Sequence, residues 1–169
     1  MRRAFGVLVA LVALGAVVVQ SSSAHSHSSS RTVLEFDTMA PVVEPFTGSA
    51  HPVRGTSGGG VPWELDHASG ELRSDGRLEI KVRGLVLARR APVPPAGQGT
   101  NPVPQFRARV NCLTPAAPDQ GVNIDTAAVP ASPQGDARIK TEIALPKPCI
   151  APIVFVTSPT GAWFAATGR

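Results

Sequence analysis

The sequence predicts an all-β protein, a single antiparallel β-sandwich of about eight strands, and three observations favour that class. The 17 prolines and 16 glycines are scattered so densely that few windows could hold three helical turns. Short apolar runs, several of them with a two-residue period, recur between turn-forming residues. The runs are regularly spaced, as in sandwiches of two packed sheets. A flattened β-barrel is the alternative architecture.

The clearest predicted strand covers residues 77–87. Apolar side chains occupy every second position from Leu78 to Val82, and charged side chains lie between them, which indicates one buried and one solvated face. The interruption at Gly84 predicts a β-bulge within this strand. The preceding Asp75-Gly76 dipeptide predicts a tight hairpin turn.

Two further segments, residues 105–113 and 136–145, show the same alternation. Cys112 falls on the inward-facing phase of the first of them. Shorter or weaker strand signals complete the predicted sandwich at residues 32–37, 61–66, 122–129, 153–157 and 161–166.

The first 24 residues have the features of a signal peptide. Two arginines precede an uninterrupted stretch of apolar and small residues over 5–19, and Ser22 and Ala24 are small residues at the two positions that signal peptidase reads. Cleavage after Ala24 is therefore expected. An uncleaved membrane anchor is the alternative, although the apolar stretch is shorter than the roughly 20 residues of a spanning helix.

The mature chain is expected to be secreted, with no transmembrane span. Residues 25–31 form a Ser/His tract with no apolar residue to bury, which predicts a flexible lead-in, and residues 32–169 form the β-sandwich domain. Loss of the signal peptide lowers the formal net charge from +4 to +2.

The two cysteines, Cys112 and Cys149, are predicted to form one disulfide, as an even pair does in an oxidising compartment. In the chain-entropy model, a disulfide that closes a loop of this length stabilises the folded state by about 4 kcal/mol. A metal site and a catalytic thiol are the alternatives, but two cysteines without nearby histidines make a poor ligand set.

Two histidines near the expected cleavage point suggest a copper site as an alternative. His25 would become the first residue and His27 the third. A free amine, two deprotonated amides and an imidazole then form a square-planar nitrogen set, which suits Cu(II) or Ni(II). Such a protein also needs a second histidine fixed in the fold, for which His51 and His67 are the candidates.

The residues Gly55-Thr56-Ser57-Gly58-Gly59 match the Gly-x-Ser-x-Gly pattern of serine hydrolases. The following Gly60-Val61-Pro62 cannot begin a helix cleanly, whereas the hydrolase site needs a strand and a helix around the serine. A glycine turn is the favoured interpretation.

The solvent-facing positions of the three clearest strands are predominantly basic. If these strands shared one sheet, they would form a positive face able to bind an anionic envelope polymer or phospholipid headgroups, although an ordinary solvated face is the simpler interpretation. Nucleic acid is not expected, because no aromatic residues lie between the basic ones. The basic residues are Arg77, Lys81, Arg83, Arg107, Arg109, Arg138 and Lys140.

Four segments resemble a family of small secreted proteins from actinomycetes and some other bacteria: Gly-Gly-Val-Pro-Trp at 59–63, Gly-Glu-Leu-Arg-Ser-Asp-Gly at 70–76, Gly-Thr-Asn-Pro-Val-Pro at 99–104, and Cys-Ile-Ala-Pro-Ile-Val-Phe-Val at 149–156. The resemblance covers nearly all of the mature chain. It implies export and no particular activity.

These observations predict a secreted binding or structural module that is not an enzyme and has no cofactor. The sequence holds no paired-carboxylate constellation, phosphate-binding loop or His-Glu-x-x-His motif. A copper-binding protein or copper oxidoreductase using His25 is the alternative function, and a hydrolase using Ser57 is a third.

Overall fold

The computed structural model describes residues 30–167, and the all-β prediction is confirmed. Within that range there are eight strands of four or more residues, four strands of two residues, and one turn of 3-10 helix at Pro95–Gly97. The strands are β1 (Thr32–Phe36), β2 (Ala40–Pro41), β3 (Trp63–Glu64), β4 (His67–Arg73), β5 (Arg77–Arg83), β6 (Val86–Leu87), β7 (Gln105–Thr114), β8 (Ala117–Asp125), β9 (Val129–Pro130), β10 (Ala137–Glu142), β11 (Ile150–Thr157) and β12 (Trp163–Ala166).

The strands form two large antiparallel sheets. The first has the order β1-β4-β5-β10, and the second has the order β2-β12-β11-β7-β8, with β9 also paired to β7. A separate two-stranded ribbon joins β3 to β6. Neither large sheet closes on itself, so the described residues form a sandwich and not a flattened barrel.

The core lies between the two sheets and is built from alternate residues of their strands, as predicted. Leu78, Ile80 and Val82 of β5 are at most 2% exposed. From β7, Phe106, Ala108, Val110 and Cys112 are completely buried. At one end the core is closed by an aromatic cluster, in which Trp63 stacks on Phe164 with ring centroids 3.9 Å apart and Phe106 meets Phe164 edge-on at 5.8 Å.

The hairpin predicted at Asp75-Gly76 joins β4 to β5, with the Gly76 N–H donating to the Arg73 carbonyl. The predicted bulge at Gly84 is wrong, because β5 ends at Arg83. Gly84 has a φ of +63°, and a Cβ atom there would lie 2.2 Å from a carboxylate oxygen of Asp66. The chain therefore turns out of the first sheet, and β6 pairs with β3 instead.

Two other boundaries differ from the prediction. Strand β8 begins at Ala117, five residues earlier than predicted, since Thr114 and Ala117 close a tight hairpin despite the flanking prolines. Ser30 and Arg31, which the sequence assigned to the lead-in, contact the domain: Arg73 donates to Ser30, and Arg31 and Ser74 exchange hydrogen bonds. The predicted signal peptide and the remainder of the predicted lead-in lie outside the described residues.

The predicted disulfide between Cys112 and Cys149 is confirmed. Cys112 is on β7, and Cys149 comes directly before β11, whose first residue pairs with Leu113. The bond therefore joins neighbouring strands of the second sheet. Residues 30–167 contain no helix that is long and apolar enough to cross a lipid bilayer.

The outer sides of the two sheets differ. Residues 48–59, the covering loop, lie over the second sheet: Gly58 bridges to Trp163, and Arg54 reaches Asn111 of β7. Phe155 pairs with Arg109 on the outward phase of β11, packs beside Trp163 and is completely buried. The outward side chains of the first sheet are mostly exposed.

We expect Phe106→Ala to lower the free energy of unfolding by about 3–5 kcal/mol, because it removes a fully buried ring from the aromatic cluster. Urea unfolding would measure the loss. Phe46→Ala is the matched control, since Phe46 is 42% exposed, and it should cost less than about 1 kcal/mol. Equal losses in the two variants would contradict this account of the core.

Reduction of the disulfide should lower the free energy of unfolding by about 4 kcal/mol, because it releases a 37-residue loop in the unfolded chain. Urea unfolding with and without reductant measures the effect. The double variant Cys112→Ala/Cys149→Ala is the control, and its stability should not respond to reductant. A response of the same size in that variant would show that the reductant acts elsewhere.

Candidate functional site

The structure divides the seven basic residues that the sequence predicted on one face. Arg77, Lys81 and Arg83 of β5 and Arg138 and Lys140 of β10 are neighbours on the outer side of the first sheet. Arg107 and Arg109 are on β7. The prediction of one shared face is therefore wrong for these two, because β7 belongs to the second sheet.

Arg107 and Arg109 are half-buried and converge on one carboxylate, that of Asp125 on β8. Arg109 binds it through Nε (2.7 Å) and a terminal nitrogen (2.8 Å), and Arg107 binds it at 3.1 Å. Hydrogen bonding by Arg109, opposed by burial and aided by the charges of both arginines, holds the pKa of Asp125 below its ordinary value. Arg107 also donates to the Pro159 carbonyl. This group therefore ties β7, β8 and the loop before β12 together.

A second buried polar group holds the covering loop in place. The Asn111 amide nitrogen donates to the Gln120 carbonyl (2.8 Å) and to Asn123 Oδ1 (2.7 Å), and its oxygen accepts from Arg54 at 3.1 Å. Arg54 also donates to the Ala151 carbonyl at 2.6 Å, and burial lowers its pKa. Asn111 lies on the outward phase of β7, where the alternation of this strand would place a solvent-facing side chain, yet it is completely buried.

The outer side of the first sheet, here called the exposed face, carries charged residues in rows across the strands. One row reads Glu35, Glu71, Glu79 and Lys140 from β1 to β10. The next row, nearer the aromatic cluster, reads Ser69, Lys81 and Arg138, and a third pairs His67 with Arg83. The register therefore separates an acidic side on β1 and β4 from a basic side on β5 and β10.

Glu79 is the centre of the basic side. Its carboxylate accepts from Arg138 at 2.6 Å and lies 4.0 Å from Lys81 Nζ. Hydrogen bonding to Arg138, opposed by slight desolvation, and the charges of Arg138, Lys140 and Lys81 lower the pKa of Glu79. One carboxylate is thus shared among three cations.

The basic strip consists of Arg83, Lys81, Arg138 and Lys140. Lys81 and Arg138 are directly opposite each other in the antiparallel register, and about 60% of each side chain is exposed. Like charges in directly opposite positions repel. Glu79 offsets one of the four charges, and Asp136, which lies at the level of Arg83 and accepts from the Gly84 N–H, offsets another. The strip therefore keeps a net charge of about +2 in solvent, centred on Lys81 and Arg138, which attracts an anion.

The carboxylates of the acidic side have other partners. Glu71 binds Arg73 of its own strand at 2.9 Å and accepts from Thr32 at 2.5 Å. Glu35 is exposed at the edge, directly opposite Glu71. A shallow groove runs over these residues and ends at Lys81. Its carboxylates would repel an anionic ligand, so the basic strip is the better anion site.

The predicted copper ligands His25 and His27 lie outside the described residues. Of the two candidate partners, His51 is exposed in the covering loop and His67 is exposed beside Arg83. Between residues 30 and 167 there is no group of three or more His, Cys, Asp or Glu side chains placed to hold a metal ion.

Ser57 is part of the covering loop. Its carbonyl accepts from the Trp163 N–H at 3.0 Å, and the Gly59 N–H donates to the Trp163 carbonyl at 2.8 Å. A Cβ atom on Gly58 would lie 2.1 Å from the Phe46 carbonyl oxygen. The glycines of the Gly-x-Ser-x-Gly match therefore permit a close approach of two backbones.

We expect Asp125→Asn to lower the free energy of unfolding by roughly 1–3 kcal/mol at neutral pH, because two half-buried arginines lose a charged acceptor. The native pKa of Asp125 lies below its unfolded value. Its contribution is therefore present above about pH 4 and is lost as the pH falls through the native pKa.

Urea unfolding of the wild type and the variant at pH 7 and near pH 3 would test this. The difference between their free energies of unfolding should be smaller at the lower pH. Asp119→Asn, an exposed residue of the same strand, serves as the control and should have little effect at either pH. If the destabilisation by Asp125→Asn is the same at both pH values, the charge of this carboxylate does not contribute to stability.

In comparisons with known proteins, no family model, no curated protein and no solved structure matches this chain.

Proposed function

We propose that the chain is an exported binding module of the cell envelope or extracellular space, and that it acts by docking an anionic polymer on the basic strip. Catalysis and a bound cofactor have no part in this proposal. The observation that carries it is the arrangement of Lys81, Arg138 and Lys140 around the carboxylate of Glu79, with Arg83 farther along β5.

Export is supported by the signal-peptide features of the first 24 residues and is consistent with the disulfide. Disulfides persist in oxidising compartments outside the cytoplasm. The envelope there contains polymers with phosphate or carboxylate groups, whose charge is complementary to the strip.

The rigidity of the platform supports a binding role. The four cations project from the central strand β5 and its neighbour β10, whose inward side chains Ile80, Val82 and Ile139 are at most 2% exposed. A ligand therefore meets a surface whose backbone is already ordered. Little conformational entropy of the protein backbone is lost on binding, although the long side chains still have to be ordered.

The double variant Lys81→Glu/Arg138→Glu should bind a dextran sulfate resin roughly tenfold more weakly than the wild type, because two cations of the strip become anions. The measurement is the salt concentration at elution, after circular dichroism has shown that the variant is folded. Raising the salt should weaken the wild type's binding, since the charges are exposed.

Arg89→Glu/Arg90→Glu is the matched control. It changes the net charge by the same amount, but both arginines lie in an exposed loop that is not part of the first sheet, where they pair with Glu64 and Glu44. It should lose far less affinity than the strip variant. Equal losses would mean that net charge alone governs binding, and would overturn the proposal.

A further inference from the structure

We infer that a groove beside the covering loop is a second binding site, and that it takes a small amphiphilic carboxylate, with the carboxylate on Arg54 and an apolar chain along the neighbouring wall. The basic strip lies on β5 and β10, and β4 separates these strands from β1, which lines the groove. The two sites are therefore distinct, and binding in the groove does not depend on the proposed function of the strip.

The groove lies where β1, an edge strand of the first sheet, meets β11 of the second. Its volume is about 380 Å³, which is within the usual range of small-molecule sites. Its described lining contains no carboxylate and, apart from Arg54, is mostly apolar. The apolar wall includes Val33 and Leu34 of β1 and Pro152 and Ile153 of β11.

One terminal nitrogen fixes the guanidinium group of Arg54. Nη1 donates to Asn111 Oδ1 at 3.1 Å and to the Ala151 carbonyl at 2.6 Å, so both of its N–H groups are used. Nε and Nη2 have no hydrogen-bond partner among the described residues. These two nitrogens form the edge of a guanidinium group that binds both oxygens of a carboxylate side by side.

The charge of Arg54 has no partner either. No salt bridge joins it to a carboxylate within residues 30–167. Burial lowers its pKa, and no neighbouring charge opposes that effect. The half-buried Arg107 and Arg109, by contrast, share the carboxylate of Asp125. A ligand carboxylate would give Arg54 the acceptor that the described chain does not provide.

Holding the covering loop does not by itself require a cation at this position. The two acceptors, an amide oxygen and a backbone carbonyl, are neutral, and a neutral donor would satisfy them without the desolvation of a charge. The backbone is also strained at both ends of the contact, since φ is +44° at Arg54 and +43° at Ala151. Strained residues other than glycine cluster at ligand-binding sites, which supports a binding role.

The apolar wall indicates the rest of the ligand. Val33, Leu34, Pro152 and Ile153 are only partly buried by the protein itself, so a chain lying against them removes apolar surface from water. A single cation beside such a wall matches a molecule with one negative charge and one apolar chain. A phosphate monoester has a charge of about −1.5 to −2 at pH 7 and three acceptor oxygens, more than the one available edge of Arg54 can bind.

Calorimetric titration of the folded, disulfide-bonded protein with hexanoate, octanoate and decanoate, below their critical micelle concentrations, tests the class of ligand. Affinity should rise about two- to fourfold for each added methylene while the chain still lies on the wall. 1-Octanol, which lacks the charge, should bind at least about tenfold more weakly than octanoate. Equal binding of the two would overturn the inference, because the carboxylate would not be recognised.

Octyl phosphate distinguishes the two kinds of anionic head group. It should bind no more tightly than octanoate, because only one edge of one guanidinium group is available. If it binds more than about tenfold more tightly, the head group is a phosphate and the inferred carboxylate is wrong.

NMR spectroscopy of the ¹⁵N-labelled protein locates the ligand. The side-chain Nε–H resonance of Arg54 and the amide resonances of Ala151 and Ile153 should shift on addition of octanoate. The amide resonances of Lys81 and Arg138 should not. The absence of any shift at Arg54 at millimolar octanoate, or shifts confined to the basic strip, would overturn the inference.

Two variants test the contacts. Arg54→Lys keeps the charge but lacks the two-nitrogen edge, and it should weaken octanoate binding about tenfold. Because Arg54 also holds the covering loop, Val33→Asp is a second test that leaves the contacts of Arg54 to Asn111 and Ala151 in place. It adds a carboxylate to the wall and should weaken binding at least about tenfold.

Val43→Asp is the matched control, because Val43 is 39% exposed and does not line the groove. After circular dichroism has shown that each variant is folded, Val43→Asp should bind octanoate as the wild type does. Unchanged binding in Val33→Asp, or an equal loss in Val43→Asp, would contradict the inferred site.

Two further outcomes separate other occupants and other sites. Lys81→Glu/Arg138→Glu should bind octanoate as the wild type does; a loss in this variant, with Val33→Asp unchanged, would place the ligand on the basic strip and overturn the inference without affecting the proposed function. If the full chain does not bind octanoate but a variant ending at Thr167 does, the last two residues compete for the groove, and the inference is overturned.

Discussion

The buried amide of Asn111 holds the covering loop against the second sheet. Its two N–H groups and its carbonyl are all hydrogen-bonded, and one partner is Arg54 of the covering loop. An unpaired amide at a completely buried position would be costly, so the loop and the strand require each other. The loop thus covers part of the second sheet, whereas the outward side chains of the first sheet are mostly exposed among the described residues.

The strand register of the exposed face places like charges next to one another. Antiparallel pairing puts Glu35, Glu71 and Glu79 side by side, and it puts Lys81 opposite Arg138. Each of these contacts is repulsive by itself. Neighbouring rows relieve the repulsion only in part, since Glu71 binds Arg73 and Glu79 binds Arg138. The remainder is a face that is negative at one edge and positive at the other.

The sequence predicted the side of the sheet on which a residue lies better than the sheet to which it belongs. Alternation placed Leu78 inward and Lys81 outward, because a two-residue period is a local property of a strand. Whether β7 neighbours β5 depends on long-range pairing, so the separation of Arg107 from Lys81 was missed. The burial of Asn111 was missed for a similar reason, since its partner Arg54 is 57 residues away. The interruption at Gly84 was interpreted as a bulge, because nothing local showed that β6 would leave the sheet and pair with β3.

The disulfide has a consequence for how the two halves of the sandwich are joined. Cys112 and Cys149 link neighbouring strands of the second sheet, so the bond does not cross between the sheets. A mechanical load applied to the basic strip acts first on the first sheet. It reaches the second sheet, which holds the disulfide, through apolar packing and the connecting segments of the chain. The core around Ile80 and Val110 is therefore a mechanical coupling as well as a source of stability. Substitutions that loosen this layer would uncouple the exposed face of the first sheet from the sheet that holds the disulfide.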